Sequence, residues 1–184
     1  MEVDLNNINL EKNPELIHIL AVIDTNYVKT RYPNPSTNPH RPTGISSNAV
    51  YMVNGVLPGV SSSEGTGNLN LKLRVGDKVS LMGTSLVDNS GDTALIYNVR
   101  HYTGDDIFNP FSTKTIVQAE APSAAETPNV IPTSAESQVF YSFNSSARSS
   151  GSEVLATLFG LYTRSQNKKT LLGYFYWTWH ASAA

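Results

Sequence analysis

Cysteine is absent from the 184 residues. That excludes disulfides, thiol catalysis and every cysteine-ligated metal centre, blue copper included, and it permits a reducing compartment. Charge is sparse too: 15% of residues are charged and the net charge is −2. A nucleic-acid or anionic-membrane partner needs a basic face, which this balance does not supply. Long apolar runs are missing. The longest, Leu16–Ile23, is a third to a half of the roughly 20 residues a membrane helix needs, and His18 interrupts it. The first fifteen residues carry four acids and one lysine, the opposite of a secretory signal's basic start. These absences predict a cytoplasmic protein with no membrane and no nucleic-acid partner. Helical apolar periodicity and propeller-type repeats are likewise missing.

What the chain has is short β-patterned runs separated by turn residues. Leu16–Ile23 is rich in Ile, Leu and Val and reads as a buried strand, and residues 48–53 as a second. Leu69, Leu71, Leu73 and Val75 alternate with Asn70, Lys72 and Arg74, the period-two mark of a half-buried strand. Gly76-Asp77 turns the chain, and Val79 and Leu81 continue the alternation. Residues 93–100 form another strand, 111–118 a weaker one, and residues 119–137, with three prolines, a long surface loop. Residues 55–67 also read as loop. The end reads as a hairpin of residues 154–163 and 170–179 joined by the polar turn RSQNKK. This pattern predicts one all-β domain over residues 1–184, with 1–15 an N-terminal extension. The expected architecture is an antiparallel β-sandwich of Greek-key or jelly-roll type.

One loop stands out. Pro33, Pro35, Pro39 and Pro42 fall within ten residues, so the segment can be neither ladder nor helix and its shape is preset. A stiff polar loop between two strands is a natural binding element.

Three blocks resemble the AidA/PixA family of bacterial inclusion-body proteins. They are ILAVIDTNYVKTRYPNPSTNPHRPTGI with NAVYMV after it, LNLKLRVGDKVSLMGTSLVDNSGDTALIYNVRHYTGD with its VGD turn, and the closing LLGYFYWTWH. The family's usual closing Trp-Asp-Pro is Trp177-Thr178-Trp179 here, so no role for that acidic residue carries over. Three methionines also set the chain apart from methionine-rich members. The resemblance implies a β-sandwich from bacteria that live with or infect eukaryotic hosts. Some members form crystalline cytoplasmic inclusions and some are linked with sugar binding. It implies no enzymatic activity.

The candidate chemistry is limited. His18, His40, His101 and His180 show no i,i+2 or i,i+4 spacing, so spacing alone assembles no metal site or hydrolytic triad. Asp24 follows a buried run and reads as a strand-end cap of the Thr25-Asn26 turn or as a ligand acceptor. Asp77 and Asp92 read as turn residues. The densest polar constellation is His101 to Asp106 followed by Asn109. Asp105, Asp106 and Asn109 offer the hard oxygens calcium takes, and the same groups hydrogen-bond sugar hydroxyls while Tyr102 offers a stacking face. The predicted ligand site joins this turn, through Tyr102, Asp105, Asp106 and Asn109, to Asn34, Asn38 and His40 of the proline loop, with Asp24 nearby.

In the last run, Phe175, Trp177 and Trp179 share one face and Tyr174 and Tyr176 the other. One face must pack the core. Aromatics on both faces of an exposed edge favour association, most simply a homodimer. The sequence therefore predicts a non-catalytic, self-associating sandwich that binds a ligand, most plausibly host or bacterial glycans, with Ca²⁺ as a candidate cofactor. The alternative is a crystalline inclusion-body protein without a specific ligand.

Overall fold

Alternation becomes burial in the first strand, β1 (Leu16–Ile23), where Ile17, Ile19, Ala21 and Ile23 are buried and the residues between them are not. In the computed structural model, the structure describes residues 13–55, 61–87, 91–122, 135–165 and 168–184. The N-terminal extension beyond its last three residues, and the middle of the expected 119–137 loop, lie outside the described residues.

After β1 come a helix α1 (Thr25–Arg31), β2 (Thr43–Gly44), β3 (Val50–Asn54), β4 (Ser61–Ser62), β5 (Asn70–Leu73) and β6 (Lys78–Ser85). The remainder is β7 (Thr93–Gly104), β8 (Ser112–Pro122), β9 (Ala135–Ser146), β10 (Gly151–Ser165) and β11 (Lys168–Ala183). They form two sheets, ordered β3-β1-β6-β9-β8 and β4-β5-β11-β10-β7. The protein is an all-β sandwich, as the period-two runs predict. The sheets are mixed rather than wholly antiparallel, because β1 runs parallel to β6, and both β2 and β5 run parallel to β11.

α1, β4 within the expected 55–67 loop, and strand at both ends of the expected 119–137 loop differ from the sequence reading. Residues 25–31 are a helix where the sequence suggested a turn at Thr25-Asn26. Asp24 caps it, its carboxylate accepting from the Tyr27 N–H at 2.9 Å, while Lys29 and Arg31 face the negative end of the helix dipole. Two turns with only Thr25 and Val28 buried are too short to display a 3.6-residue period. Residues 135–146 are a full strand where the sequence suggested loop at 135–137 and named no element beyond.

The core lies between the sheets, with Phe175, Trp177 and Trp179 of β11 all at most 1% exposed. Phe159 stacks on Phe175 at 5.4 Å and meets Trp177 edge-on at 5.8 Å. The predicted parity split of this strand therefore holds. β11 is central rather than an edge, and its other face is also covered. Tyr174 meets the Tyr97 ring at 5.5 Å, and Tyr102 and Tyr176 pair at 6.0 Å. These four rings lie over the outward side of β10, where Ala156 and Leu158 are 1% exposed without belonging to the inter-sheet core.

The proline loop closes this second layer. Ser36 bridges to Tyr174, Thr43–Gly44 extends along Phe175–Tyr176, and the Tyr97 hydroxyl donates to the Pro39 carbonyl at 2.8 Å. Gly173 makes the docking possible, since a Cβ there would lie 2.6 Å from Pro35 Cγ. Gly173→Val should overpack this contact and cost about 1–3 kcal/mol. A urea midpoint unchanged from wild type would show that the loop is not held this way.

The VGD turn has a structural carboxylate. Asp77 is 4% exposed and accepts from the N–H groups of Glu15 and Arg74, each at 2.9 Å, and from the Arg74 guanidinium at 3.2 Å. Burial pushes its pKa up, but these donors and the Arg74 charge outweigh it and hold the carboxyl below its ordinary value. A depressed carboxyl stabilises the fold above its unfolded-state pKa, and that stability is lost as pH falls through the folded value. Denaturation midpoints measured below about pH 4 should therefore drop, and Asp77→Asn, less stable at neutral pH, should show a shallower acid limb. An acid limb of wild-type slope in the variant would contradict this assignment.

A candidate cleft at the β7–β10 margin

β7 ends at Gly104, opposite Glu153 of β10, and its φ of +93° and contact with the Ser152 carbonyl, 2.4 Å from where a Cβ would sit, admit only glycine. The turn that follows is closed by Asp105. Its N–H donates to the Ser152 carbonyl at 2.8 Å, and its carboxylate accepts from the Ser152 N–H at 2.9 Å. Ile107 and Phe108 then enter the core, at 0% and 3% exposed. Asp106, between them and the turn, is left facing outward.

Beneath this turn lies a buried carboxylate. Glu153 occupies the inward parity of β10, in register with Leu155, Thr157, Phe159 and Leu161, and is 1% exposed. One of its oxygens, Oε2, accepts from the N–H groups of Ile107 at 2.9 Å and Phe108 at 3.3 Å. Its other oxygen, Oε1, lies 3.0 Å from His101 Nδ1. Every buried polar atom must find such partners, and Glu153 finds three. Arg148 reaches over the turn, its guanidinium donating to the Asp106 carbonyl and carboxylate.

Together these residues line a cleft of about 330 Å³. Asn98, Arg100, Asn109 and Arg148 supply polar rim, and Phe108, Phe111 and Leu155 supply apolar wall. Asn109 is anchored by donating from Nδ2 to Ser146 Oγ at 2.9 Å. The cleft thus holds both signs of charge around one exposed imidazole.

Of the residues predicted from sequence, Asp106 and Asn109 line this cleft. Tyr102 lies on the opposite face of β7, against Tyr176. The Asp105 carboxylate is spent on Ser152, and that of Asp24 on α1. Asn38 Oδ1 accepts from the His40 N–H at 2.9 Å, an Asx turn that shapes the loop. Asn34 and His40 sit in the same loop. The joint site does not assemble: Pro35 rests on Gly173, whereas Asp105 is held at Ser152, opposite Ser182. Nine residues of strand, about 30 Å, separate them. Asp105, Asp106 and Asn109, the expected calcium set, are engaged by Ser152, Arg148 and Ser146 respectively.

Sequence reasoning missed Glu153 and Arg148. Glu153 had a signal, since it is the one charge on the apolar face of its strand. Beginning that strand at Val154 hid it.

Fold and cleft define a two-sheet β-sandwich with a mixed-charge margin, and no helix among the described residues is long and apolar enough to cross a membrane. The family model for the PixA inclusion body proteins matches residues 15–180, and the chain belongs to that family. It is similar to the crystal structure of an inclusion body protein (PixA) from Burkholderia cenocepacia, with 65% identity and a TM-score of 0.85. The match covers 96% of this chain and 100% of that one. No curated protein matches the chain.

Proposed function

We propose that this chain is a non-catalytic protein that assembles with copies of itself into ordered cytoplasmic inclusions. The observation that carries this is the β8–β9 ribbon. β9 pairs with β6 only where Lys78–Leu81 face Phe143–Ser146, while its pairing with β8 continues to the far ends of both strands. The ribbon therefore extends beyond the sheet that anchors it. Val117 and Val139 face each other across the ladder at 64% and 50% exposed, and Tyr141 on the same face is 50% exposed. A two-stranded ribbon is marginal in water unless a hydrophobic face is covered. Beside its root, where β9 leaves β6, opens an apolar groove of about 630 Å³ between Leu20, Leu95, Ile96 and Phe143.

The partner that suits this surface is a second copy. β8 is an end strand of its sheet, so its outer edge offers backbone donors and acceptors to another β8 around a twofold axis. Membership in a family of inclusion body proteins supports the same reading. Sedimentation velocity at tens of micromolar should show concentration-dependent assembly for wild type and monomer for Val117→Lys with Val139→Lys, at unchanged circular dichroism. Equal behaviour of the two proteins would overturn the proposal.

A second reading, glycan binding, rests on Phe111, half-buried beside Asp106 and Asn109 in the cleft, an aromatic face next to hydroxyl-binding groups. Saturable binding on a glycan array, lost in Asp106→Ala with Asn109→Ala, would support it. An empty array would end it.

A further inference from the structure

We propose that His101, Asp106 and Glu153 form a site for one divalent transition-metal ion. The three come from separate places in the sequence, the end of β7, the turn after it and the start of β10. The fold brings one potential ligand atom of each within 4.8 Å of the others. Among the described residues no other group of three or more His, Asp and Glu side chains is gathered in this way.

Three further observations fit a metal better than a chance encounter of surface charges. The first is the bite of the two inner donors. His101 Nδ1 and Glu153 Oε1 are 3.0 Å apart. Two ligands about 2.1 Å from an ion are separated by about 3.0 Å at right angles and about 3.4 Å at the tetrahedral angle, so both atoms can close on one ion with a shift of a few tenths of an ångström. The second is rigidity. Glu153 is 1% exposed and its other oxygen is fixed by the N–H groups of Ile107 and Phe108. Such outer hydrogen bonds hold a ligating carboxylate in place. The third is access. The cluster lines the open cleft, and Asp106, with its side chain 61% exposed, can swing toward the pair from the rim.

The donor set names the class of ion. One imidazole nitrogen and two carboxylate oxygens suit zinc, cobalt or manganese, whereas calcium takes six to eight oxygens. Binding at Nδ1 uses the His101 tautomer that carries its proton on Nε2, and it releases Asp106 from the Arg148 guanidinium, which is itself exposed and passes to water. The three protein donors leave remaining coordination positions open to the cleft.

The test uses the full chain with Co²⁺ or Zn²⁺ alone. Wild type should bind one equivalent, seen as a visible Co²⁺ absorption band and as a calorimetric titration with Zn²⁺. His101→Ala should lose this binding, and Asp106→Asn should weaken it tenfold or more. His180→Ala, altering an exposed histidine on the outward face of β11, should bind as wild type. All of these substitutions are at exposed side chains, and thermal melts verify that the variants fold. In nuclear magnetic resonance spectra the His101 ring signals should be the imidazole signals that move on adding Zn²⁺. Absence of binding in wild type, unchanged binding in His101→Ala, or movement of the His40 or His180 ring instead would overturn the assignment.

Discussion

Trp179→Ala is expected to lower the unfolding free energy by about 3–5 kcal/mol, measured by urea denaturation. The side chain is 0% exposed, opposes Leu155 across the β10–β11 ladder, and donates from Nε1 to Thr157 Oγ1 at 2.9 Å. Truncation therefore removes a large buried surface, opens a cavity and leaves the fully buried Thr157 hydroxyl without that partner. A domain of this size holds about 5–15 kcal/mol in total, so the loss is a large share of the fold's margin. Trp179→Phe keeps most of the volume but not the hydrogen bond and should cost clearly less. A loss below about 1 kcal/mol for the alanine variant would mean that the inter-sheet core is not where this account places it.

Glu153→Leu is the second substitution with a large expected effect, about 1–3 kcal/mol for each buried donor that loses the carboxylate. Leucine removes the acceptor of the buried Phe108 N–H and leaves the Ile107 N–H with the Asp105 carbonyl at 3.1 Å. The turn carrying Asp106 should loosen as a consequence. Glu153→Gln keeps one oxygen for those donors and should cost less than half as much. Denaturation curves of the two variants side by side check this. Equal losses in the two would show that the backbone hydrogen bonds are not what makes Glu153 important.

Much of the sandwich is legible before any coordinates. β1 coincides residue for residue with the apolar run that suggested it, because a strand buried on one face must alternate. The inward Phe175, Trp177 and Trp179 follow from parity alone. What was not legible is mostly long-range. No local pattern says that β1 will lie parallel to β6, or that the proline loop will be stitched to β11 through Ser36, Thr43 and Gly44. The helix after Asp24 is too short to show a period, and its capping aspartate reads equally well as a turn residue. The polar cleft was half legible. Asp106 and Asn109 stand out as a cluster in sequence, but their partners Glu153 and Arg148 are about 40 residues downstream and arrive only through the pairing of β7 with β10. Aromatics on both sides of β11 suggested an exposed edge, yet the strand is central and its outer tyrosines are packed by Tyr97 and Tyr102 of the same chain. Ile116, Val117, Val139 and Tyr141 are exposed apolar residues on the β8–β9 ribbon.

The central claim, that copies of this chain meet through that ribbon, is tested most directly by hydrogen exchange at two protein concentrations. At about one micromolar, residues 112–118 on the outer edge of β8 should exchange fast, since alternate N–H groups there face no neighbouring strand. At several hundred micromolar the same amides should become protected, while those of β10 and β11 keep the protection they had. Protection of residues 112–118 that does not change with concentration, under conditions where the protein does assemble, would contradict the claim and place the interface elsewhere.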